Sequence, residues 1–362
     1  MIPNLPTEII DKVFGYLKEK EKLILAQVNK RLESTYAYHV QEKYKLLLVS
    51  EDINSAGFYT DTELRVILSS CGSTVSFFSI QCTEVMEQLG ELIEKYCINL
   101  RYAYLMITNE NFNAFKRVLN MKCIEMLYLE CSHYRGTDLI QYVNPYCKEL
   151  KLENISMAQE HHIRELIHLE KLYVESYHVQ NIFEICSHLP KLRELTTNSF
   201  VYPPDLKQDY LYPELEKLTL QYFAIKLDLP ICPKLKQLML IFTVSYVENI
   251  GDIISKYGNT LERLDLSPVA GRDKFHAEQI IIVLRKCKRL KLLSTTNAII
   301  RYLFVEFLGS LITVLKENGF NTERRLKLEG DLCEVVQLKL ELMEKFPNSE
   351  VWNLITLSQF IY

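Results

Sequence analysis

The sequence predicts an α/β repeat solenoid: a parallel inner sheet with helices and loops on its outer side, behind a short all-helical N-terminal module. Three observations predict it. The phrase Leu-x-x-Leu-x-Leu returns along the chain about once every 20 to 30 residues. Its clearest copies lie at Leu215, Leu218 and Leu220, at Leu235, Leu238 and Leu240, and at Leu261, Leu264 and Leu266. Between copies the apolar spacing changes from alternation to a helical period. The first 45 residues carry the helical period alone.

Apolar residues two apart share one side of an extended strand, so each copy of the phrase reads as a short strand with one buried face. A lone strand of this kind cannot cover that face, whereas a stack of parallel copies can. A fixed period in this range is the signature of a leucine-rich-repeat solenoid. Read permissively, the phrase starts at Val75, Leu100, Ile124, Cys147, Leu169, Leu192, Leu215, Leu235, Leu261, Leu290 and Glu323, with a degenerate copy near Val351. Tyr44, Leu47 and Val49 suggest an earlier first rung. These copies fill residues 46–362 with about 12 repeats. The asparagine that usually closes the phrase is mostly missing, so the repeats are of an irregular sort.

The connectors read as helices at 84–96, 180–186, 247–257 and 277–285. In the first, Val85, Leu89, Leu92 and Tyr96 recur on one helical face. Residues 226–232, with Pro230 and the following Pro233, are too few for a helix and predict a tight loop. Residues 298–315 read as one long buried helix. Arg301 and Glu306 in its interior would be costly in lipid, which argues against a membrane span. Unequal thickness of the strand and helix layers would curve such a stack into an arc.

Composition excludes several function classes. The chain has 48% hydrophobic and 24% charged residues and a net charge of −4, without the concentrated basic surface a nucleic-acid binder needs. No basic segment followed by an apolar run opens it, so no secretory signal is expected. Its ten cysteines contain no Cys-x-x-Cys pair, and Cys97, Cys147 and Cys287 sit at apolar positions, where a free thiol behaves as a small hydrophobe. That usage points to a reducing compartment, cytoplasmic or nuclear, and makes the sequon Asn154-Ile155-Ser156 a chance match. No phosphate-cradling glycine loop or nucleophile elbow is present. Glu160-His161-His162, with His168 beyond, lacks the His-Glu-x-x-His spacing, and Cys131 with His133 has no further ligands nearby. No metal, cofactor or catalytic constellation is expected, and the chain reads as a non-enzyme.

The N-terminus is a module of its own over residues 1–45. Ile9, Ile10, Val13, Phe14 and Leu17 form an apolar stripe on one helix, opened by Pro6 and by acids suited to its positive end. A charged break precedes Leu23-Ile24-Leu25-Ala26-Gln27-Val28, and Leu32, Tyr36, Val40 and Tyr44 mark a third helix. Three helices this short have too little interior to stand alone. The order Leu5-Pro6-x-Glu8-Ile9, then Val13-Phe14-x-Tyr16-Leu17, then Leu23-x-Leu25-Ala26-x-Val28-x-Lys30 resembles the F-box. Asn29 and Leu32 depart from the family pattern, where a cysteine and a tryptophan are frequent. With repeats directly behind it, the chain resembles the F-box/leucine-rich-repeat proteins. The resemblance implies a substrate receptor of an SCF (Skp–cullin–F-box) ubiquitin ligase: the F-box docks on a Skp-type adaptor, which bridges to the cullin, while the repeats hold a protein substrate for ubiquitination. Carried over by position, the adaptor-facing residues are Leu5, Pro6, Ile9, Ile10, Val13, Phe14, Leu17 and Val28. Two alternatives stand beside it: a protein-interaction scaffold whose N-terminal helices are only a cap, and a hydrolase or transferase using the concave face as a cleft.

The residues between the leucines point to the concave side. Tyr102, Tyr104 and Met106 are followed by Met126, Tyr128 and Glu130, by Glu149, Lys151 and Glu153, and by Lys171, Tyr173 and Glu175. Tyr102, Tyr104, Tyr128 and Tyr173, beside Glu130 and Glu153, form the expected substrate-binding patch, since tyrosine suits interface cores.

Overall fold

The computed structural model describes residues 5–52, 55, 57–155, 160–175, 182–198, 210–223, 229–242, 250–267, 273–330 and 334–359. They fall into two compact units, Met1–Leu169 and Glu170–Tyr362.

The first unit opens with three helices, α1 (Thr7–Tyr16), α2 (Glu19–Ala26) and α3 (Lys30–Val40). Each start has a local cause. The Pro6 carbonyl accepts from the backbone N–H groups of Ile9 and Ile10. The Glu21 carboxylate caps α2 by accepting from the Lys18 N–H at 2.7 Å. Asn29 caps α3, its side-chain oxygen accepting from Arg31 and Leu32 N–H at 3.1 and 3.0 Å.

Rungs follow: β1 (Leu46–Ser50), α4 (Asp61–Cys71), β2 (Phe77–Gln81), α5 (Leu89–Tyr96), β3 (Tyr102–Thr108), α6 (Phe112–Leu119), β4 (Met126–His133), β5 (Glu149–Glu153) and α7 (Glu160–Ile163). Strands β1 to β5 pair in sequence order, all parallel. Register puts Leu47, Phe78, Ala103, Leu127 and Leu150 in one column and Val49, Ile80, Leu105, Leu129 and Leu152 in the next. All ten are buried. At ~1.5–3 kcal/mol per large apolar side chain, these columns are the main adhesive between rungs.

The second unit holds β6 (Lys171–Glu175), α8 (Ile182–Ser187), β7 (Glu194–Asn198), β8 (Lys217–Phe223), β9 (Gln237–Phe242), α9 (Ile250–Ser255), β10 (Arg263–Ser267), α10 (Asp273–Lys286) and β11 (Leu292–Ser294). It ends with α11 (Asn297–Val305), α12 (Leu308–Glu317), β12 (Leu326–Gly330), α13 (Val335–Lys345) and β13 (Ile355–Gln359). Its strands also pair in order and parallel. Leu172, Leu195, Leu218, Leu238, Leu264, Leu293, Leu328 and Leu357 align in one buried column. Parallel rungs of this kind in both units are consistent with a leucine-rich-repeat architecture.

Two expected helices differ. Residues 84–88 are not helical, and α5 begins only at Leu89. Tertiary bonds hold the preceding chain out of the helix: Thr83 donates from both N–H and hydroxyl to Glu51 at 3.0 Å, and the Cys82 carbonyl accepts from Asn111 at 3.1 Å. Residues 298–315 form not one helix but α11 and α12, bent by 92°. Phe307 leaves helical geometry at φ −118°, ψ 14°. Ile299, Ile300, Leu303 and Phe304 of α11 and Leu311, Val314 and Leu315 of α12 are buried. Among the described residues, no single helix is long and apolar enough to cross a membrane. The expected loop at 226–232 and the helices at 180–186 and 247–257 lie partly outside the described residues; their described parts are α8, α9 and a short bridge from Ile231 to Leu211.

Candidate functional site

Two surfaces of the first unit carry the predicted site residues. The first is the outer side of α1 and α2. Packing divides the predicted adaptor-facing set. Ile10 and Phe14 are fully buried, Phe14 lying 5.7 Å from both the Tyr36 and the His39 rings. These two hold the helices together and offer no surface. Val13 and Leu17 are half-buried and Pro6 is exposed. Leu5, Ile9 and Val28 are exposed at 37%, 42% and 64%. Ile24, absent from the predicted set, is exposed at 65%. It belongs to the apolar run from Leu23 to Val28, which could have found it.

The inner side of the same helices is closed. Leu23, Ala26, Leu32, Tyr36, Val40 and Tyr44 are buried, and both α2 and α3 pack on α4. At their centre the Tyr36 and Tyr44 hydroxyls lie 3.0 Å apart, and Tyr44 donates to Glu19 at 2.9 Å. Arg31 donates to the Leu5 carbonyl at 2.6 Å and so fixes the segment ahead of α1.

The second surface is the open face of β1 to β5. Strand alternation puts the predicted residues there in register. Leu46, Phe77, Tyr102, Met126 and Glu149 form one row, and Leu48, Ser79, Tyr104, Tyr128 and Lys151 the next. Met106, Glu130 and Glu153 follow. Tyr102 is exposed, while Tyr104, Met106, Met126, Tyr128, Glu130, Glu149, Lys151 and Glu153 are half-buried. The tyrosines do not lie loose. Tyr104 donates to Glu130 at 2.5 Å, and Tyr128 hydrogen-bonds Glu153. The two rings meet edge to face, 4.4 Å apart at 76°. Lys151 lies 4.0 Å over the Tyr128 ring and 2.9 Å from Glu153. Burial, then the bond to Glu130, pushes the Tyr104 hydroxyl up to about 12, and Tyr128 moves the same way with Glu153. Both hydroxyls therefore stay protonated donors at neutral pH. The structure brings together Tyr102, Tyr104, Tyr128, Glu130 and Glu153. Tyr173 belongs to the second unit, where its hydroxyl donates to Glu175 at 2.7 Å.

A feature missed in the sequence runs along the starts of the strands. Arg101, Glu125 and Lys148 in the first unit alternate in sign, and so do Glu170, Arg193, Glu216, Lys236, Glu262 and Lys291 in the second. Within each unit neighbouring members are joined by backbone hydrogen bonds, such as Glu216 N–H to the Arg193 carbonyl and Lys236 N–H to the Glu216 carbonyl. Lys236 meets Glu216, and Lys291 meets Glu262, each at 2.7 Å. The hydrogen bond from Lys236 holds the Glu216 carboxyl below its ordinary range, and that from Lys291 does the same for Glu262. Glu194 sits between Lys171 and Lys217, 3.7 Å from each. A depression of about 370 Å³ in the second unit is lined by these residues, including Arg193, Glu194, Glu216, Lys217 and Lys236. The signal was legible as one charged residue per repeat at a fixed place in the phrase.

The described cysteines are all free, and burial pushes the thiols of Cys71, Cys97, Cys147 and Cys287 up to about 12, which keeps them protonated. His162 approaches Glu165 at 3.8 Å. Among the described residues no group of three or more His, Cys, Asp or Glu side chains is gathered for a metal.

No family model matches the chain, and no curated protein matches it. Among solved structures it is similar to a chain of the Toll–Spatzle complex of Drosophila, described as a molecular hub in development and innate immunity, at 13% identity and a TM-score of 0.43. The match covers 87% of this chain and 48% of the other, so this chain spans about half of that one's length.

Proposed function

We propose that this protein is the substrate-recognition subunit of an SCF-type ubiquitin ligase, non-catalytic in itself, with α1–α3 as an F-box docking on a Skp-type adaptor and the rungs holding a protein substrate. The observation that carries the reading is the set of apolar side chains left uncovered after α1 has packed on α3 and both α2 and α3 on α4. Leu5, Ile9, Ile24 and Val28 stay exposed although the same helices bury Ile10, Phe14, Leu32 and Tyr36. An N-terminal cap with no further duty has no need of that exposure. Covering each such side chain stabilises a complex by ~1.5–3 kcal/mol, so truncating two or three is expected to abolish a sub-micromolar interface. Substrate capture is assigned to the open face of β3 to β5, through Tyr102, Tyr104 and Tyr128 beside Glu130 and Glu153, with Tyr173 in the second unit as a further contact. The reading entails a cytoplasmic or nuclear protein, in keeping with its free, protonated thiols.

Co-purification with a Skp-type adaptor tests the proposal. Changing Leu5, Pro6 and Ile9 together to polar residues is expected to abolish capture without altering the thermal melt, because all three are exposed. Failure of the unaltered chain to bring down the adaptor would leave the cap as the sole role of α1–α3. That second reading rests on the packing of α2 and α3 against α4.

A further inference from the structure

We infer that Tyr104 and Glu130 form a receptor for a basic side chain, an arginine or lysine carried by an extended segment of the bound protein. The inference deepens the proposal that the rungs hold a protein, and rests on it for the identity of the occupant.

One motif occurs twice on neighbouring strands. In each copy a tyrosine hydrogen-bonds a glutamate one strand further on: Tyr104 to Glu130, and Tyr128 to Glu153. Register relates the copies directly, since Tyr104 pairs with Tyr128 and Glu130 with Glu153. The second copy holds a cation. The Lys151 ammonium lies 4.0 Å over the Tyr128 ring and 2.9 Å from Glu153. Ring and carboxylate together thus already bind an ammonium at this place in the fold, supplied by the protein itself.

The first copy lacks that cation. At the position corresponding to Lys151, one strand beyond Tyr104, stands Tyr128. Glu130 accepts from Tyr104 at 2.5 Å and from Ser132 at 3.4 Å, and among the described residues no cation pairs with it. The geometry is fixed beforehand, because the Tyr104 ring is braced edge-on against Tyr128. Charge complementarity selects the occupant. The open positions of β1 to β5 carry Glu130, Glu149 and Glu153 against Lys151, so the face is net acidic. Two rows from Glu130, Phe77, Tyr102 and Met126 offer apolar contact. Residues two or four apart in an extended partner lie on one side, so a basic residue on Glu130 would set an apolar residue four positions away on that row.

Binding of two probe peptides to the full chain tests this: one with a central arginine, leucines four residues to either side and serines between, the other with citrulline in place of the arginine, which keeps the shape and removes the charge. The arginine peptide is expected to bind about tenfold more tightly. Glu130→Gln should bring that preference close to one, while Glu110→Gln, the same charge change on an exposed turn, should preserve it. Equal binding of both peptides, no binding of either, or an unchanged preference in Glu130→Gln overturns the inference. Should Glu130→Gln lose its cooperative melt, Glu130→Asp takes its place: withdrawing the carboxylate should cut the preference at least threefold, and an undiminished preference is again fatal. The peptide measurement needs no adaptor, and Glu130→Gln should still co-purify with one, so either proposal can fail while the other stands.

Discussion

Gly90 decides how closely two helices approach. A Cβ at this position in α5 would meet the Ala114 carbonyl oxygen in α6 at 1.7 Å. Alanine is intrinsically the better helix residue, by ~0.5–1 kcal/mol. Overpacking against a backbone carbonyl costs ~1–3 kcal/mol and wins. Gly90→Ala should therefore lower the unfolding free energy read from urea titration by about 1–2 kcal/mol, where the same change at an exposed helical glycine would raise it. Burial acts on titration as well as on volume. It pushes the Tyr36 and Tyr44 hydroxyls far above the ordinary tyrosine range, and Tyr104 up to about 12. An acid whose folded value is raised holds its proton in the native state while the unfolded chain has lost it. Stability is then whole below the unfolded value near 10 and falls as pH rises from 10 toward 12. Alkaline unfolding followed by circular dichroism should thus appear as one cooperative step above pH 10, with a jump in tyrosinate absorbance at the same pH. Ionisation of every tyrosine with the fold intact would contradict the burial argument.

At the scale of elements, strands were more legible than helices, for a physical reason. A strand phrase buries every second residue, and the same columns recur in every rung. The starts read at Leu100, Ile124, Cys147 and Leu192 each precede a strand that begins two residues later. The open-face residues follow from the same alternation, so Tyr102, Tyr104, Tyr128, Glu130 and Glu153 were readable as one face. Their mutual bonds were not, because which glutamate a tyrosine reaches depends on register between strands. Helices were less legible because tertiary bonds overrule local spacing. Val85 suits the helical face of α5, yet Thr83 is tied to Glu51 and the segment stays out of the helix. Likewise Ile10 and Phe14 share a stripe with Ile9, and only packing separates core from surface. Asn111 illustrates the same competition. It is buried, accepts from the Thr108 N–H at 2.9 Å and donates to the Cys82 and Met106 carbonyls at 3.1 and 2.9 Å. Asn111→Ala leaves all three backbone groups without this partner. At ~1–3 kcal/mol for an unmade buried bond, a loss of about 2–4 kcal/mol is expected in thermal unfolding. A loss below about 1 kcal/mol would mean that water replaces the side chain at little cost.

Across the whole molecule, the alternating charges at the strand starts address a problem any parallel stack faces. Equivalent residues of successive rungs lie only about 4.8 Å apart. A repeat that copied one charged residue faithfully would therefore line up like charges along the stack. Like charges directly opposite destabilise by roughly 0.2–1 kcal/mol per pair. In the second unit Glu170, Arg193, Glu216, Lys236, Glu262 and Lys291 invert sign at each step, so each neighbour contact is an attraction. Exposed pairs contribute little singly, and their chief effect is to penalise slippage by one rung. Lys236→Glu tests this, since it sets three acids in succession between Glu216 and Glu262. Two attractive contacts become two repulsive ones, and a loss of about 0.4–2 kcal/mol is expected at low salt. The loss should shrink at high ionic strength, because these charges face solvent. It should also shrink in acid. The Glu216 and Glu262 carboxyls are depressed in the folded chain, so their contribution is present above the unfolded value of 4.5 and fades as pH falls through the folded values. Below that window all three carboxyls are neutral, and the variant should melt alongside the parent. A deficit that persists in strong salt and in acid would assign the effect to packing of the Lys236 stem rather than to charge.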